Sequence, residues 1–96
     1  MDWVKKEFNI QNIETATDKA VLIKMPHRSA YDGFLFWHPA KLVRQASHGN
    51  GFYHTFSYNE SFEFRLVKYG HGKYNSREII DSRTVSAEEM NSVDFV

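Results

Sequence analysis

Apolar and polar residues alternate with a period of two over most of the chain, the spacing of strands that turn one face to a core. In residues 7–13, Phe8 and Ile10 share a face and charged or amide groups occupy the other, predicting a strand with one wet side. Residues 14–19 are polar and rich in side chains that satisfy turns, so they read as a connection. Residues 20–25 are apolar on both faces and predict the central strand of a sheet, ended by Pro26, which cannot donate to a ladder. A loop over residues 27–33 leads to residues 34–38, a second strand apolar on both faces, stopped by Pro39. Residues 41–44 are short and fit either a strand or a single helical turn. His48-Gly49-Asn50-Gly51 is a turn, with glycine and asparagine where positive φ is required.

Phe52, His54, Phe56 and Tyr58 then alternate with Tyr53, Thr55 and Ser57, and Phe62, Phe64 and Leu66 alternate with Glu63, Arg65 and Val67. Asn59-Glu60 reverses the chain between them, so the two segments are expected to pair as a hairpin. Gly70-His71-Gly72-Lys73 reads as another turn and residues 78–85 as the last strand. Ser86 with Glu89 three residues later has the spacing of a capping box and predicts a short helix from residue 87. Six or seven short strands and one short C-terminal helix make a mainly β (α+β) fold. A small partly open barrel is the first expectation, and a strongly bent antiparallel sheet with the helix across one face is the second. With 96 residues, no internal repeat and no linker, residues 1–96 are expected to form one domain.

Composition narrows the picture. Aromatics make up 16% of the chain, a heavy load that suits pleated, half-buried surfaces. Cysteine is absent, which removes disulfides, thiolate metal ligands and a Cys nucleophile, and leads to the expectation of a cytoplasmic protein. The longest apolar runs, residues 20–23 and 34–37, fall far short of the roughly 20 residues a spanning helix needs. Met1-Asp2-Trp3-Val4-Lys5-Lys6 lacks the character of a signal peptide, so no membrane partner is expected.

The balance of 12 Lys+Arg against 12 Asp+Glu hides a partition. Residues 1–18 carry two cations and four carboxylates, and residues 78–96 one cation and five carboxylates. Residues 19–77 carry nine cations and three carboxylates, together with all five histidines and 12 of the 15 aromatic residues. A basic segment interleaved with rings is what a nucleic-acid platform requires, because Lys and Arg follow phosphates and exposed rings stack bases. A plain solvated face beside two acidic ends explains the same counts.

No catalytic constellation stands out. His27, His38, His48, His54 and His71 lack the spacing of a helical metal site, and no metal or cofactor is expected. Asp32, Glu63 and Arg65 faintly match the carboxylate–basic pattern of metal-dependent nucleases, but Glu63 and Arg65 are better explained by cross-strand charge pairing. Trp37, locked by Pro39, either anchors the core or walls a groove, and the core is the preferred reading.

Glu14-Thr15-Ala16-Thr17-Asp18-Lys19-Ala20-Val21-Leu22-Ile23 and Phe36-Trp37-His38-Pro39-Ala40-Lys41-Leu42-Val43 together resemble small accessory proteins of phages and integrative mobile elements. In that pattern a Lys-Ala-x-Leu strand is followed by a Trp-x-Pro-Lys-Ser segment. Here Ala40-Lys41 stands in place of Lys-Ser, the loop between the halves is longer, and the likeness covers residues 14–43. It implies a mobile-element source, in which small non-enzymatic proteins bind nucleic acid or disable a host protein, CRISPR nucleases included.

The resulting expectation is a non-enzymatic binding protein acting on nucleic acid or a nucleoprotein complex. Lys41, Arg44, Arg65, Lys68, Lys73 and Arg77 would contact phosphates, and Tyr53, Tyr69 and Tyr74 would supply stacking or interface area. The alternative is an anti-CRISPR-type inhibitor that meets a host protein through Arg28 and Tyr31 of the loop at residues 27–33. An exposed sheet edge could pair two copies, so monomer and homodimer both remain open.

Overall fold

The computed structural model describes residues 2–70 and 78–95. Its strands are β1 (Val4–Asn9), β2 (Ile13–Ala16), β3 (Ala20–Lys24), β4 (Leu35–Pro39), β5 (Val43–Gln45), β6 (Tyr53–Tyr58), β7 (Glu63–Tyr69) and β8 (Ile79–Ser86), followed by helix α1 (Ala87–Asn91). They form two antiparallel sheets, β1-β6-β5 and β2-β3-β4-β7-β8. The fold is mainly β with one short C-terminal helix, as expected. Among the described residues there are eight strands in two sheets, and no closed barrel.

The chain crosses between the sheets at three short corners. Residues 7–13 do not continue as one strand: after Asn9 the chain makes a 3-10 turn over Ile10–Asn12 and enters the other sheet. The Asn9 side chain sets that corner by accepting a hydrogen bond from the Gln11 N–H. Pro39 ends β4 at a second 3-10 turn, Ala40–Leu42, which delivers β5 to the three-stranded sheet. Residues 41–44 are thus part turn and part strand. Residues 14–19, expected as a polar connection, contribute β2, whose Ile13 faces Ile23 across the ladder.

The third corner overturns the expected hairpin. β6 pairs with β1 and β5, whereas β7 pairs with β4 and β8, so the two strands belong to different sheets. Asn59 makes the corner by accepting from the Ser61 N–H and hydroxyl, while the Phe62 N–H reaches the Asn59 carbonyl. Alternation turns Phe56 and Tyr58 of β6 and Phe64 of β7 to the inner side, so the two strands meet across the layer through edge-to-face rings rather than as ladder neighbours.

Those inner faces form the core. Phe36 and Phe56 meet edge to face at 5.4 Å, Phe36 and Phe64 at 5.5 Å, and Tyr58 and Phe64 at 5.1 Å. Such contacts are worth about 0.5–1.5 kcal/mol each beyond area burial. The C-terminal segment closes the open end. Ser86 and Glu89 form the predicted capping box, Met90 and Val93 are buried, and Phe95 packs 5.3 Å from Phe56. Lys6 ties this segment to β1 by donating to the Asn91 and Val93 carbonyls, at 2.9 and 2.5 Å. A cation at carbonyls left free by a helix C-terminus is favourable. The Tyr58 hydroxyl donates to the Asn91 side-chain oxygen at 2.5 Å.

β4 corrects the expectation of a strand apolar on both faces. Phe36 and His38 point inward, so Trp37 points out and is 42% exposed. The core position goes to His38, whose ring lies 5.3–6.2 Å from those of Phe36, Phe56, Phe62 and Phe64. Its Nε2 is 2.7 Å from the Ser57 carbonyl oxygen, which makes this nitrogen the N–H donor. Burial lowers its pKa from the ordinary imidazole value of 6.5, and the bond to Ser57 opposes the shift only in part.

A lowered native pKa means that the unfolded chain binds a proton first as pH falls. The His38 contribution to stability is therefore intact above pH 6.5 and is lost as pH falls from there through the native pKa. Urea unfolding from pH 7.5 to 5 should show this decline, and it should flatten in His38→Leu. An equal slope in the two proteins would show that His38 does not carry it.

Candidate nucleic-acid interface

Alternation that fills the core also determines what the outer faces display. On the five-stranded sheet, Lys24, Leu35, Val67 and Ser82 form one row, since each is the register partner of the next. The adjacent row begins with Thr15, Leu22 and Trp37 and ends with Arg65 opposite Thr84. The antiparallel run from the Leu35–Val67 bridge brings Trp37 level with Arg65. Tyr69, opposite Ile79, extends the face about 13 Å along β7 from Arg65.

Leu22 and Val67 are buried on this outer face, at 1% and 4% exposure, and do not belong to the inner cluster. They make an apolar floor beneath exposed Trp37 and half-buried Leu35 and Tyr69. Among the described residues, the one helix, α1, sends its buried Ala87 and Met90 into the inner cluster, on the other side of the sheet. Arg65 is exposed, and the described residues include no ion pair to it. The cross-strand charge pairing expected for Glu63 and Arg65 is not made among the described residues: their register partners on β8 are the uncharged Ser86 and Thr84. Lys24 lies 3.9 Å from Glu14.

The remaining candidates lie elsewhere. Arg44 stands opposite Thr55, which stands opposite Glu7, on the outer face of the three-stranded sheet. Tyr53 is on that same face, where its ring is 5.8 Å from that of His48, which pairs with Glu7 at 2.9 Å. A Cβ at Gly49 would fall 2.4 Å from the Tyr53 ring, so this tyrosine is held by its turn. Lys41 is exposed in the second 3-10 corner. Lys68 turns to the inner side of β7, with its ammonium 4.7 Å from the Phe34 ring centroid. Lys73, Tyr74 and Arg77 lie outside the described residues, as does His71. The two sheets pack by their inner faces, so their outer faces look away from each other, and Arg44 and Tyr53 cannot join Arg65 and Tyr69 in one patch.

Arg28 and Tyr31 line a groove of about 860 Å³ between the residue 27–33 loop and the C-terminal segment, with Glu89 and Phe95 on its other wall. Asp32 of this loop accepts from or pairs with His27 Nδ1 at 2.8 Å, well apart in the chain from Glu63 and Arg65 on β7. Among the described residues no three His, Asp or Glu side chains gather where they could hold a metal ion. His54, half-buried beside Phe8, has a buried Nδ1 with no hydrogen-bond partner among the described residues.

Trp37, expected in the core, stands instead at the centre of the outer face. The signal was present: Phe36-Trp37-His38 puts either Trp37 or the flanking pair inside, and two rings fill an aromatic core better than one. No protein-family model, curated protein or solved structure matches the chain.

Both tryptophans are exposed, Trp3 at 54% and Trp37 at 42%. In a Trp3→Phe variant, the emission of Trp37 should be readily quenched by iodide in the native state and shift little on unfolding. A blue-shifted, unquenched native emission would return Trp37 to the core.

Proposed function

We propose that the protein is a non-enzymatic binder of single-stranded nucleic acid, with the outer face of the five-stranded sheet as its platform. One observation carries the reading: an exposed Trp37 level with an Arg65 that has no ion pair among the described residues, on a sheet face with an apolar floor. A ring offers its face to any base, and stacking is worth about 1–3 kcal/mol per base. Tyr69 offers a second ring, Arg65 a guanidinium for phosphate or for stacking, and Thr15, Ser82 and Thr84 hydroxyls for hydrogen bonds. A sheet of this kind reads unstacked bases rather than a duplex, whose bases are covered.

Charge has a smaller part than the sequence suggested. Arg65 and Lys24 on this face are set against Glu63 and Glu14, so only one or two phosphates are neutralised. Stacking therefore supplies most of the affinity. The slope of log K against log salt should be shallow, about −0.7 to −1.4 for one or two phosphates on a single strand.

A second reading rests on the groove at Arg28 and Tyr31. It offers a concave surface with a cation and a ring on one wall and a carboxylate, Glu89, on the other, suited to a protein partner. On this reading the protein inhibits a host protein, such as a defence nuclease, through a protein–protein interface. Affinity capture from nuclease-treated host lysate should then yield a stoichiometric partner that Arg28→Ala loses and Trp37→Ala keeps.

Fluorescence anisotropy with labelled oligonucleotides tests the leading reading. Trp37→Ala should weaken single-strand binding about tenfold, the equivalent of one stacked base. Arg65→Gln should lower the salt slope by nearly one phosphate contact, and Arg44→Gln on the other sheet should change neither. Absence of single-strand binding at low salt, or equal loss with Arg44→Gln, would overturn it.

A further inference from the structure

Two cations converge on one buried ring at the inner side of the β7–β8 pair. Phe34 is 3% exposed, yet Lys68 Nζ lies 4.7 Å and Arg83 Cζ 5.1 Å from its centroid. The fold builds this arrangement deliberately. Leu66 and Arg83 are register partners, as are Lys68 and Asp81, so the inner side of β7–β8 changes from apolar to charged where it passes Phe34. Gly33, at φ +89°, brings the loop close: a Cβ there would sit 3.2 Å from Lys68 Cε and 3.5 Å from its ammonium. The ring attracts each cation, but the two cations repel one another.

Among the described residues no carboxylate meets either cation in a direct ion pair. Asp81, opposite Lys68 in the ladder, has its carboxylate turned to the Ser82 N–H at 2.8 Å. Asp32, next to Gly33, has its carboxylate on His27 Nδ1 at 2.8 Å. Among the described residues neither Lys68 nor Arg83 is ion-paired. Lys68 is half-buried and Arg83 exposed, both within about 5 Å of one buried ring and neither in an ion pair among the described residues, an arrangement that leaves both heads available to an anion.

We propose that Lys68, Arg83 and Phe34 form a binding site for a phosphate group. The guanidinium offers a planar fork to two oxygens and the ammonium a point charge to a third, which suits a tetrahedral oxyanion better than a carboxylate. The half-buried position of Lys68 against Phe34 strengthens both contacts relative to open water. The site lies on the inner side of the sheet, so it is separate from the Trp37 platform and does not rest on it.

Titration of the full chain with inorganic phosphate, followed by amide and side-chain NMR at matched ionic strength, tests the site. Saturable shifts are expected at Gly33, Phe34, Lys68 and Arg83, with chloride giving none. Lys68→Gln and Arg83→Gln should each weaken phosphate about tenfold, while Lys68→Arg retains it. Shifts that never saturate, or that persist in both Gln variants, would overturn the proposal. A second arm identifies the source. Tighter binding of a 5′-phosphorylated than of a 5′-hydroxyl oligonucleotide, lost in Arg83→Gln, assigns the site to a nucleic-acid end. Saturable inorganic phosphate with no such difference assigns it to a free phosphate compound. Failure of the phosphate titration leaves oligonucleotide binding through Trp37 as a separate result, so the two readings fall independently.

Discussion

The contact of Phe36 with Phe56, one from each sheet, is the constraint on which the rest of the structure depends. At 5.4 Å and 62° between ring planes, it joins layers that share no hydrogen-bonded ladder. Phe8, Tyr58, Phe64 and Phe95 gather around it, each ring meeting at least one of the pair or its immediate neighbour. A chain of 96 residues has little apolar volume to spare, and large rigid rings bury much area for little lost side-chain freedom. The corners at residues 10–12, 40–42 and 59–62 exist so that successive strands can supply rings to opposite sides of this layer.

His38 is the exception inside that layer, and it decides what happens outside. An imidazole among four phenyl rings keeps its proton on Nε2, where the Ser57 carbonyl accepts it, and so joins β4 to β6 by a polar bond inside the apolar layer. Because strand side chains alternate, placing Phe36 and His38 inward expels Trp37. The same two-residue period carries Arg65 out beside it while Phe64 and Leu66 go in. The binding surface proposed for this protein is therefore the obverse of its core.

Electrostatics take a different form in space than along the chain. The cation-rich middle segment folds into both sheets, and its charges separate among two outer faces, a corner and the inner rim at Phe34. No single basic patch results among the described residues. What results is two local arrangements of different kinds. One is the outer face with exposed Trp37 and Arg65, and the other is a pair of cations held on the Phe34 ring; among the described residues none of these three cations is ion-paired. The contact of Lys24 with Glu14 joins the basic middle to the acidic N-terminal segment at the edge of the stacking face, and the described residues include no ion pair to Arg65, Lys68 or Arg83.

Period-two alternation, the breaks at Pro26 and Pro39, the glycine turn at residues 49–51 and the Ser86–Glu89 cap are local properties of the chain. They sufficed for a mainly β fold with one short C-terminal helix, for most strand positions and for inward Phe8, Phe56, Phe64 and Leu66. They did not suffice for Phe52, which shares the alternating face of Phe56 yet precedes β6 and is 62% exposed. Alternation states which residues share a face, but it is silent on which strands are neighbours. Hence β6 and β7, adjacent in sequence and linked by a tight corner, read as a hairpin although they lie in separate sheets. In a strand apolar on both faces, such as residues 34–38, alternation does not even say which face is inside. That choice was made by three-dimensional packing, when Phe56, Phe62 and Phe64 closed around His38 and left Trp37 at the surface.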